Sequence, residues 1–270
     1  MSTAADDEGV VEFDVVAGWV DEVLADLPRE RAVIGACRGS AHPEALAWLA
    51  DRLGLGPGSL LLDVGGGIGG PAAWATDHRG ARVVVADPMP RAVRAASRRF
   101  GIGGLTASSA ALPVPTAAVA AVWALGVLST VDDQPAALAE LARVLEPGGR
   151  LGLLEYLRAG PIAEPAPAGN HFLTPEGLEA ALAAAGLATV DRLDPLPPTP
   201  AAWAEVADEV AVRLAARHPT ADELDRADRA EHRFADLLAA RTLRPVALVA
   251  ERRRTKTTLA GDGAGTEDAP

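Results

Sequence analysis

Residues 61–70 read LLDVGGGIGG, and this stretch decides the fold of the chain. A short apolar run ends at Asp63 and Val64, a glycine-rich turn follows, and Pro71 suits the first turn of a helix. Glycines allow backbone conformations and close approaches that a Cβ atom would block, so a ligand can lie against the main chain at the helix N-terminus. The stretch therefore predicts a ligand-binding turn between a strand and a helix.

A second acidic residue, Asp87, ends the next apolar run, VVVAD. A carboxylate there can accept hydrogen bonds from the hydroxyls of an adenosine ribose. The glycine spacing has two functional interpretations. Gly65, Gly67 and Gly70 satisfy the dinucleotide pattern G-x-G-x-x-G, whereas D-x-G-x-G-x-G begins at Asp63. A third interpretation is purely structural, because the same glycines could simply make a tight turn.

Short apolar runs alternate with helical patterns on both sides of this turn. Such alternation is typical of a parallel sheet with helices on both faces, and so of an α/β fold. The predicted strands cover residues 59–64, 82–86, 105–108, 119–125, 150–157, 188–193 and 244–251, and the predicted core helices cover 71–78, 90–100, 134–145 and 174–185.

Composition restricts the classes of function. The chain has 270 residues, of which 49% are hydrophobic, so one large domain with elaborations is the simplest partition. A net charge of −12 disfavours a nucleic-acid partner. The sequence has neither a signal-peptide pattern nor an apolar run long enough to span a membrane, so we expect a cytoplasmic protein without a membrane partner. With Cys37 as the only cysteine and no histidine–carboxylate spacing typical of ligands, we expect no metal.

Four motifs together resemble those of the class I S-adenosylmethionine-dependent methyltransferases, particularly the small-molecule methyltransferases. LLDVGGGIGG is similar to the first motif of that family and VVVADPMPRAV to the second. AALPVPTAAVAAVWALGVLSTVDD resembles the segment that leads into and past the fourth strand, and ARVLEPGGRLGLLEY resembles the turn into the fifth. The resemblance extends over residues 40–190, and the final strand also fits.

The resemblance implies a fold and a division of the chain. The expected core is a Rossmann-like, doubly wound, seven-stranded and mostly parallel sheet with an antiparallel last strand, plus N-terminal helices and a helical insertion before that strand. The predicted units are an N-terminal helical cap over 1–58, a cofactor-binding core over 59–194, a helical insertion or lid over 195–243, the last core strand over 244–252 and a disordered tail over 253–270.

The resemblance also implies S-adenosyl-L-methionine as the cofactor and assigns residues to it. These residues follow the first four strands of the expected sheet. Asp63, Gly65, Gly66 and Gly67 would surround the methionine part, Asp87 would hold the ribose, Pro88 and Met89 would pack on the adenine, and Ala124 or Leu125 would lie beneath the cofactor. The family commonly has an acidic residue for the adenine amino group where this chain has Ser108 followed by Ser109. Arg38 and Ser40 are further candidates, for the cofactor carboxylate.

Methyl transfer depends on positioning and on exclusion of water, and a hydroxyl or amine acceptor also benefits from a general base. The candidate catalytic residues are Glu155 and Tyr156 at the end of the fifth strand and His171 in the following loop. Each has a structural alternative: the first two could only close the crevice, and His171 could be an ordinary loop residue. His42 lies in no recognisable pattern.

The sequence leaves three functions open. The first is methyl transfer to an oxygen or nitrogen of a small organic acceptor, with secondary-metabolite biosynthesis as the expected setting. The second is a methyltransferase-like protein that binds the cofactor without methylating, as a cyclase or binding protein. The third is a nicotinamide oxidoreductase, although no Tyr-x-x-x-Lys pair exists. The insertion, with Trp203, Val206, Val210 and Phe234, is either a lid, a homodimer interface or an ordinary packing helix.

Overall fold

A seven-stranded sheet lies at the centre of the computed structural model, which describes residues 4–37, 42–162 and 170–254. The strand order is β3-β2-β1-β4-β5-β7-β6; β7 is antiparallel to both of its neighbours, and the other pairs are parallel. This topology confirms the predicted fold. The strands are β1 Leu60–Val64, β2 Arg82–Asp87, β3 Gly103–Thr106, β4 Val119–Leu125, β5 Leu145–Arg158, β6 Leu187–Leu193 and β7 Leu243–Arg252.

Local signals explain where several helices begin and end. The Thr174 hydroxyl accepts a hydrogen bond from the Gly177 amide at the start of α7, and Asp133 caps α6 in the same way. Gly80 and Gly101 end α4 and α5 in the left-handed conformation that glycine favours. The helices are α1 Ala4–Leu24, α2 Arg29–Ala36, α3 Pro43–Arg52, α4 Gly70–Arg79, α5 Pro90–Phe100, α6 Gln134–Val144, α7 Pro175–Ala184, α8 Ala201–Arg217 and α9 Asp222–Ala239, and a short 3-10 helix covers Leu128–Thr130.

The sheet separates two apolar layers. Leu61 belongs to the layer formed with α1 to α5 and α8, whereas its neighbour Leu62 belongs to the layer formed with α6 and α7. Because both faces of the central strands are buried, these strands are continuous apolar runs in the sequence instead of alternating patterns.

Helix α3 packs on the first of these faces, next to the first half of β5. A Cβ atom at Gly152 of β5 would lie 3.1 Å from Leu53 and 3.2 Å from Leu49. The Arg150 guanidinium, at the N-terminal end of the parallel region, donates to the carbonyl oxygen of Arg52.

Two details differ from the sequence-based expectations. Strand β5 begins at Leu145 and not at 150, because its first residues continue the pairing with β4 through the Pro-Gly-Gly turn. Strand β3 lies two residues earlier than predicted, since its partner in the register is the end of β2. The predicted tail lies almost wholly outside the described residues, and the remaining unit boundaries stay predictions.

The predicted insertion supplies α8 and α9. Val206 and Val210 of α8 are buried and face Gly35 of α2, where a Cβ atom would lie 3.6 Å and 2.9 Å from them. These two side chains thus pack inside the chain rather than toward a second copy. Within the described part of the chain, no helix is long and apolar enough to cross a membrane.

We expect Gly70→Ala to destabilise the protein, because a Cβ atom at Gly70 would lie 2.3 Å from the carbonyl carbon of Ala36 and 2.4 Å from the amide nitrogen of Cys37. Overpacking of this kind costs about 1–3 kcal/mol of unfolding free energy, which urea denaturation would measure. Gly103→Ala is the matched control, since nothing lies within 4 Å of its Cβ position. Equal stability of both variants would contradict the close contact between α2 and the start of α4.

Candidate active site

The glycine-rich turn between β1 and α4 is tightly held on one side. Gly65 has a φ of 69°, and its amide donates to the carbonyl oxygen of Ala86 over 2.7 Å. A Cβ atom on Gly65 would lie 2.3 Å from a methyl carbon of Val127, and one on Gly66 would lie 2.7 Å from the carboxyl carbon of Asp63. The glycine-rich turn thus packs directly against the end of β1 and against the segment after β4. A larger residue at Gly65 or Gly66 would prevent this contact.

The carboxylate of Asp87 ties the end of β2 to the same turn. Its Oδ2 accepts a hydrogen bond from the Gly67 amide at 2.8 Å, and its Oδ1 accepts one from the Met89 amide at 2.9 Å. Burial raises the pKa of this carboxyl, and the two amide hydrogen bonds oppose that shift. Each oxygen keeps a further lone pair that can accept a ligand hydroxyl.

Asp63 brings an unsatisfied carboxyl oxygen to the same place. The residue is 1% exposed, and within the described residues its Oδ2 has no hydrogen-bond partner. The indole nitrogen of Trp123 lies opposite Asp63 in the β1–β4 register, and its interaction with the Asp63 carboxyl lowers the pKa of that carboxyl, although the two make no hydrogen bond of ordinary geometry. Burial, together with the charge of Asp87, raises the pKa of the Asp63 carboxyl to about 7. A buried acceptor of this kind fits a cationic ligand group.

The other predicted cofactor residues lie around the same edge of the sheet. A Cβ atom at Gly67 would meet nothing within 4 Å, so the ligand side of the turn is open. Ser108 accepts a hydrogen bond from the Ala110 amide, which leaves its hydroxyl hydrogen available to donate. Pro88 and Met89 follow β2, Ser108 and Ser109 follow β3, and Ala124 and Leu125 end β4. Arg38 and Ser40 lie outside the described residues.

Glu155 anchors the turn that follows β4. It is buried, and its Oε1 accepts hydrogen bonds from the amides of Val127 at 3.0 Å and Leu128 at 2.9 Å. Burial raises the pKa of Glu155 to about 7, although these hydrogen bonds favour its ionised form. The sequence placed Glu155 at the site but did not indicate this anchoring contact.

His171 is paired with a carboxylate that the sequence analysis did not single out. Its Nε2 lies 2.9 Å from Oδ1 of Asp132, and both side chains are about half exposed. Its main-chain amide donates to the carbonyl oxygen of Ser129, and the Gln134 amide donates to the carbonyl oxygens of Leu128 and His171. In the sequence, only the acidic pair Asp132 and Asp133, which ends the third motif quoted above, could have indicated this partner.

Tyr156 belongs to an aromatic cluster. Its ring meets that of Phe234 edge to face, with 4.4 Å between centroids, and the ring of Phe172 lies 6.0 Å from Phe234. Phe234 belongs to α9, so the predicted insertion supplies an apolar wall next to the end of β5. Alternation along β5 places Tyr156 and Glu155 on opposite faces of the sheet. Of the three candidate catalytic residues, Tyr156 therefore faces the helices α3 and α9, while the other two hold or follow the turn after β4.

Comparisons with known proteins point to one family. A family model described as a methyltransferase domain matches residues 62–153. Methyltransferase GfsG of Streptomyces halstedii is 32% identical over 127 residues, which are 44% of this chain and 46% of that protein. The 27-O-demethylrifamycin SV methyltransferase of Amycolatopsis mediterranei is 33% identical over 137 residues, which are 47% of this chain and 48% of that protein. The chain therefore spans about half the length of these curated relatives.

The fold has solved counterparts. The crystal structure of the (4+2)-cyclase SpnF matches with a TM-score of 0.63 and 26% identity over 78% of this chain and 82% of that one. The family match favours the D-x-G-x-G-x-G interpretation of the glycine turn over the nicotinamide dinucleotide one.

We expect Asp63→Asn to flatten the pH dependence of stability. Because burial raises the folded-state pKa of Asp63, the native state retains a proton that the unfolded state releases, and unfolding free energy falls as pH rises between about pH 4 and 7. Glu155 contributes in the same direction. Urea denaturation across that range should show a shallower decline for Asp63→Asn than for the native chain or for the exposed control Asp51→Asn. An unchanged slope would contradict a buried, protonated Asp63.

Proposed function

We propose that this chain, which belongs to the class I S-adenosylmethionine-dependent methyltransferases, transfers the methyl group of that cofactor to an oxygen or nitrogen atom of a small organic acceptor. One observation carries the proposal: a single edge of the sheet brings together the open glycine turn, the Asp87 carboxylate bonded to the Gly67 amide, and the unsatisfied oxygen of Asp63. A relative that acts on 27-O-demethylrifamycin SV supports an oxygen acceptor and secondary metabolism as the setting.

The residues present fit the cofactor. Asp63 Oδ2 would accept hydrogen bonds from the ammonium of the methionine part, and this pairing would offset the burial of the carboxylate. Asp87 would accept from the ribose hydroxyls through its remaining lone pairs. Gly65, Gly66 and Gly67 would let the ligand lie against the main chain. The remaining contacts would come from Pro88 and Met89 at the adenine, Ser108 and Ser109 at its amino group, and Ala124 or Leu125 beneath the cofactor.

When bound, the cofactor would supply an electrophilic sulfonium methyl group for direct displacement by the acceptor atom. The acceptor proton needs a base. We propose His171 for this role, because Asp132 holds its Nε2 and leaves Nδ1 to accept the proton. The pairing with Asp132 assigns the ring hydrogen of neutral His171 to Nε2. Glu155 would position this base indirectly. It holds the amide of Leu128 in the turn after β4. In that turn the carbonyl oxygen of Leu128 accepts from the Gln134 side chain, and that of Ser129 accepts from the main-chain amide of His171.

Tyr156 would contribute to binding of the acceptor. With Phe234 and Phe172 it forms an apolar surface, and such a surface excludes water from a displacement reaction. The net charge of −12 disfavours a nucleic-acid substrate. A cytoplasmic location, the absence of a membrane partner and a homodimer stay predictions from the sequence.

A second candidate function is cofactor binding without methyl transfer, as a cyclase. The likeness to SpnF at 26% identity over most of both chains favours it. Mass spectrometry of products separates the two: a methyltransferase adds the mass of one methylene group to its acceptor, whereas a cyclase gives a product of unchanged mass.

We expect Asp87→Asn to weaken binding of S-adenosylhomocysteine by about tenfold or more, because hydrogen bonds to a charged group are among the stronger ones. Isothermal titration calorimetry on the full chain measures the loss, with Asp51→Asn as the exposed control. Unchanged affinity in Asp87→Asn, or no binding by the native chain, would overturn the cofactor assignment.

We expect His171→Gln to lower kcat about 10²- to 10⁴-fold, since it removes the base, and Asp132→Asn to lower it less, since the imidazole remains. The release of S-adenosylhomocysteine, with an acceptor found in a screen of hydroxyl- and amine-bearing natural products, measures the rate. Affinity for S-adenosylhomocysteine should not change. A full rate in His171→Gln would show that transfer needs no base at this position.

A further inference from the structure

A cavity of about 310 Å³ lies between α1 and α5. Four of its lining residues belong to α1, and the other three are arginines of α5. None of these residues is among those assigned above to the cofactor or to catalysis. Ligand pockets in proteins begin at about 300 Å³, so the α1–α5 cavity is large enough to hold a small molecule.

Three arginines form the α5 side of the cavity. Arg91, Arg94 and Arg98 are spaced three and four residues apart, so they lie along one face of the helix. Each guanidinium offers five hydrogen-bond donors in a planar fork and no acceptor. The α5 side therefore presents a row of donors that extends about 10 Å along the helix.

Many of these donors have no acceptor in the protein. The Arg94 side chain makes no hydrogen bond or ion pair with the residues that the structure describes. Arg91 Nε lies 3.7 Å from Oδ2 of Asp14, which is too far for a hydrogen bond, while Asp14 Oδ1 accepts from the Arg91 main-chain amide at 2.7 Å. Arg98 donates to Asp21 through one of its nitrogens. Several guanidinium hydrogens are thus available to a ligand.

The two acidic residues of the cavity do not cancel this surplus of donors. Asp21 is buried, and its two carboxylate oxygens accept hydrogen bonds from the guanidinium groups of Arg98 and Arg99. Glu22 is exposed, so solvent and salt screen its charge. A cationic ligand would find one exposed carboxylate here, whereas an anion would find the unused donors of two arginines. The distribution of charge therefore favours an anion.

The α1 side supplies open space and an indole ring. A Cβ atom at Gly18 would lie 3.5 Å from Cδ of Arg91, which is an ordinary contact, so packing against α5 does not require a glycine. Glycine inside a helix costs about 1 kcal/mol relative to alanine, but here it keeps the cavity free of a side chain. Trp19 is partly buried and stacks on His218, with 4.2 Å between the ring centroids. An indole held in this way offers an apolar surface to an aromatic ring.

We propose that the α1–α5 cavity binds a phosphate monoester of a planar aromatic group, with the phosphate on Arg91 and Arg94 and the ring against Trp19. A phosphate monoester carries nearly two negative charges and three terminal oxygens, so it satisfies more of these donors than a carboxylate with one charge and two oxygens. This site is separate from the proposed cofactor site and does not depend on methyl transfer.

Calorimetric titration of the full chain with 1-naphthyl phosphate tests the arginine contact. Saturating S-adenosylhomocysteine keeps the proposed cofactor site filled. Arg94→Gln should weaken binding about tenfold or more, because it removes a charged donor without removing a contact within the protein. Arg82→Gln is the matched control and should bind like the native chain. Arg82 is also exposed and also makes no side-chain hydrogen bond or ion pair within the described residues, but it lies at the start of β2 and does not line the cavity.

Three results of this titration would overturn the proposal: no binding by the native chain, unchanged affinity in Arg94→Gln, or an equal loss in Arg82→Gln, which would indicate attraction to surface charge in general. Failure of S-adenosylhomocysteine to bind would overturn the proposed function alone, because the titration with 1-naphthyl phosphate can be carried out without it.

A second variant tests the cavity itself. Gly18→Leu leaves every arginine in place but puts a side chain into the cavity, so it should abolish binding of 1-naphthyl phosphate, whereas Gly18→Ala should bind like the native chain with an equal or higher Tm. The native chain should bind 1-naphthoate and inorganic phosphate about tenfold more weakly than the ester, since the first has less charge and the second has no ring. Full binding by Gly18→Leu, or equal binding of the ester and either of these probes, would contradict the assignment.

Discussion

The hydrogen bond between the Asp87 carboxylate and the Gly67 amide is the contact on which the candidate site depends. It joins the end of β2 to the turn after β1, while the second oxygen of the same carboxylate fixes the start of the segment that leads into α5. Neighbouring parallel strands bring their ends to one edge, but only a contact of this kind sets the distance between the loops that follow. Because Asp87 holds the glycine turn in place, the turn needs no side chains of its own to fix its conformation. Its main chain remains open to a ligand.

A second contact joins this half of the site to the half that would handle an acceptor. Gly65 lies against Val127, and Glu155 holds the amides of Val127 and Leu128. The glycine turn, the turn after β4 and the end of β5 are consequently joined by direct contacts. The main chain of His171 is held there by two hydrogen bonds, because its amide donates to the carbonyl oxygen of Ser129 and its carbonyl oxygen accepts from the Gln134 side chain.

Sequence reasoning succeeded where the signal was local. The glycine turn, the acid at the end of β2 and the alternation of apolar runs with helices are each encoded within a few residues, and the order of four motifs resembles that of the family whose model matches residues 62–153. It failed where a residue's role depends on distant packing. Nothing near Glu155 in the sequence indicates that two amides from another loop converge on it. The partner of His171 is 39 positions away.

The contact between Tyr156 and Phe234 has a consequence for how relatives should be compared. Tyr156 lies just beyond the segment that the family model matches, and Phe234 belongs to a helix far outside it. The proposed cofactor-binding residues therefore lie inside the matched segment, whereas Tyr156, Phe234 and the proposed base His171 lie outside it, and the two sets of residues can diverge separately. Two proteins that agree across residues 62–153 can differ in α9 and accept unrelated molecules. Assignments of substrate transferred between relatives should accordingly be weighted by agreement in that helix.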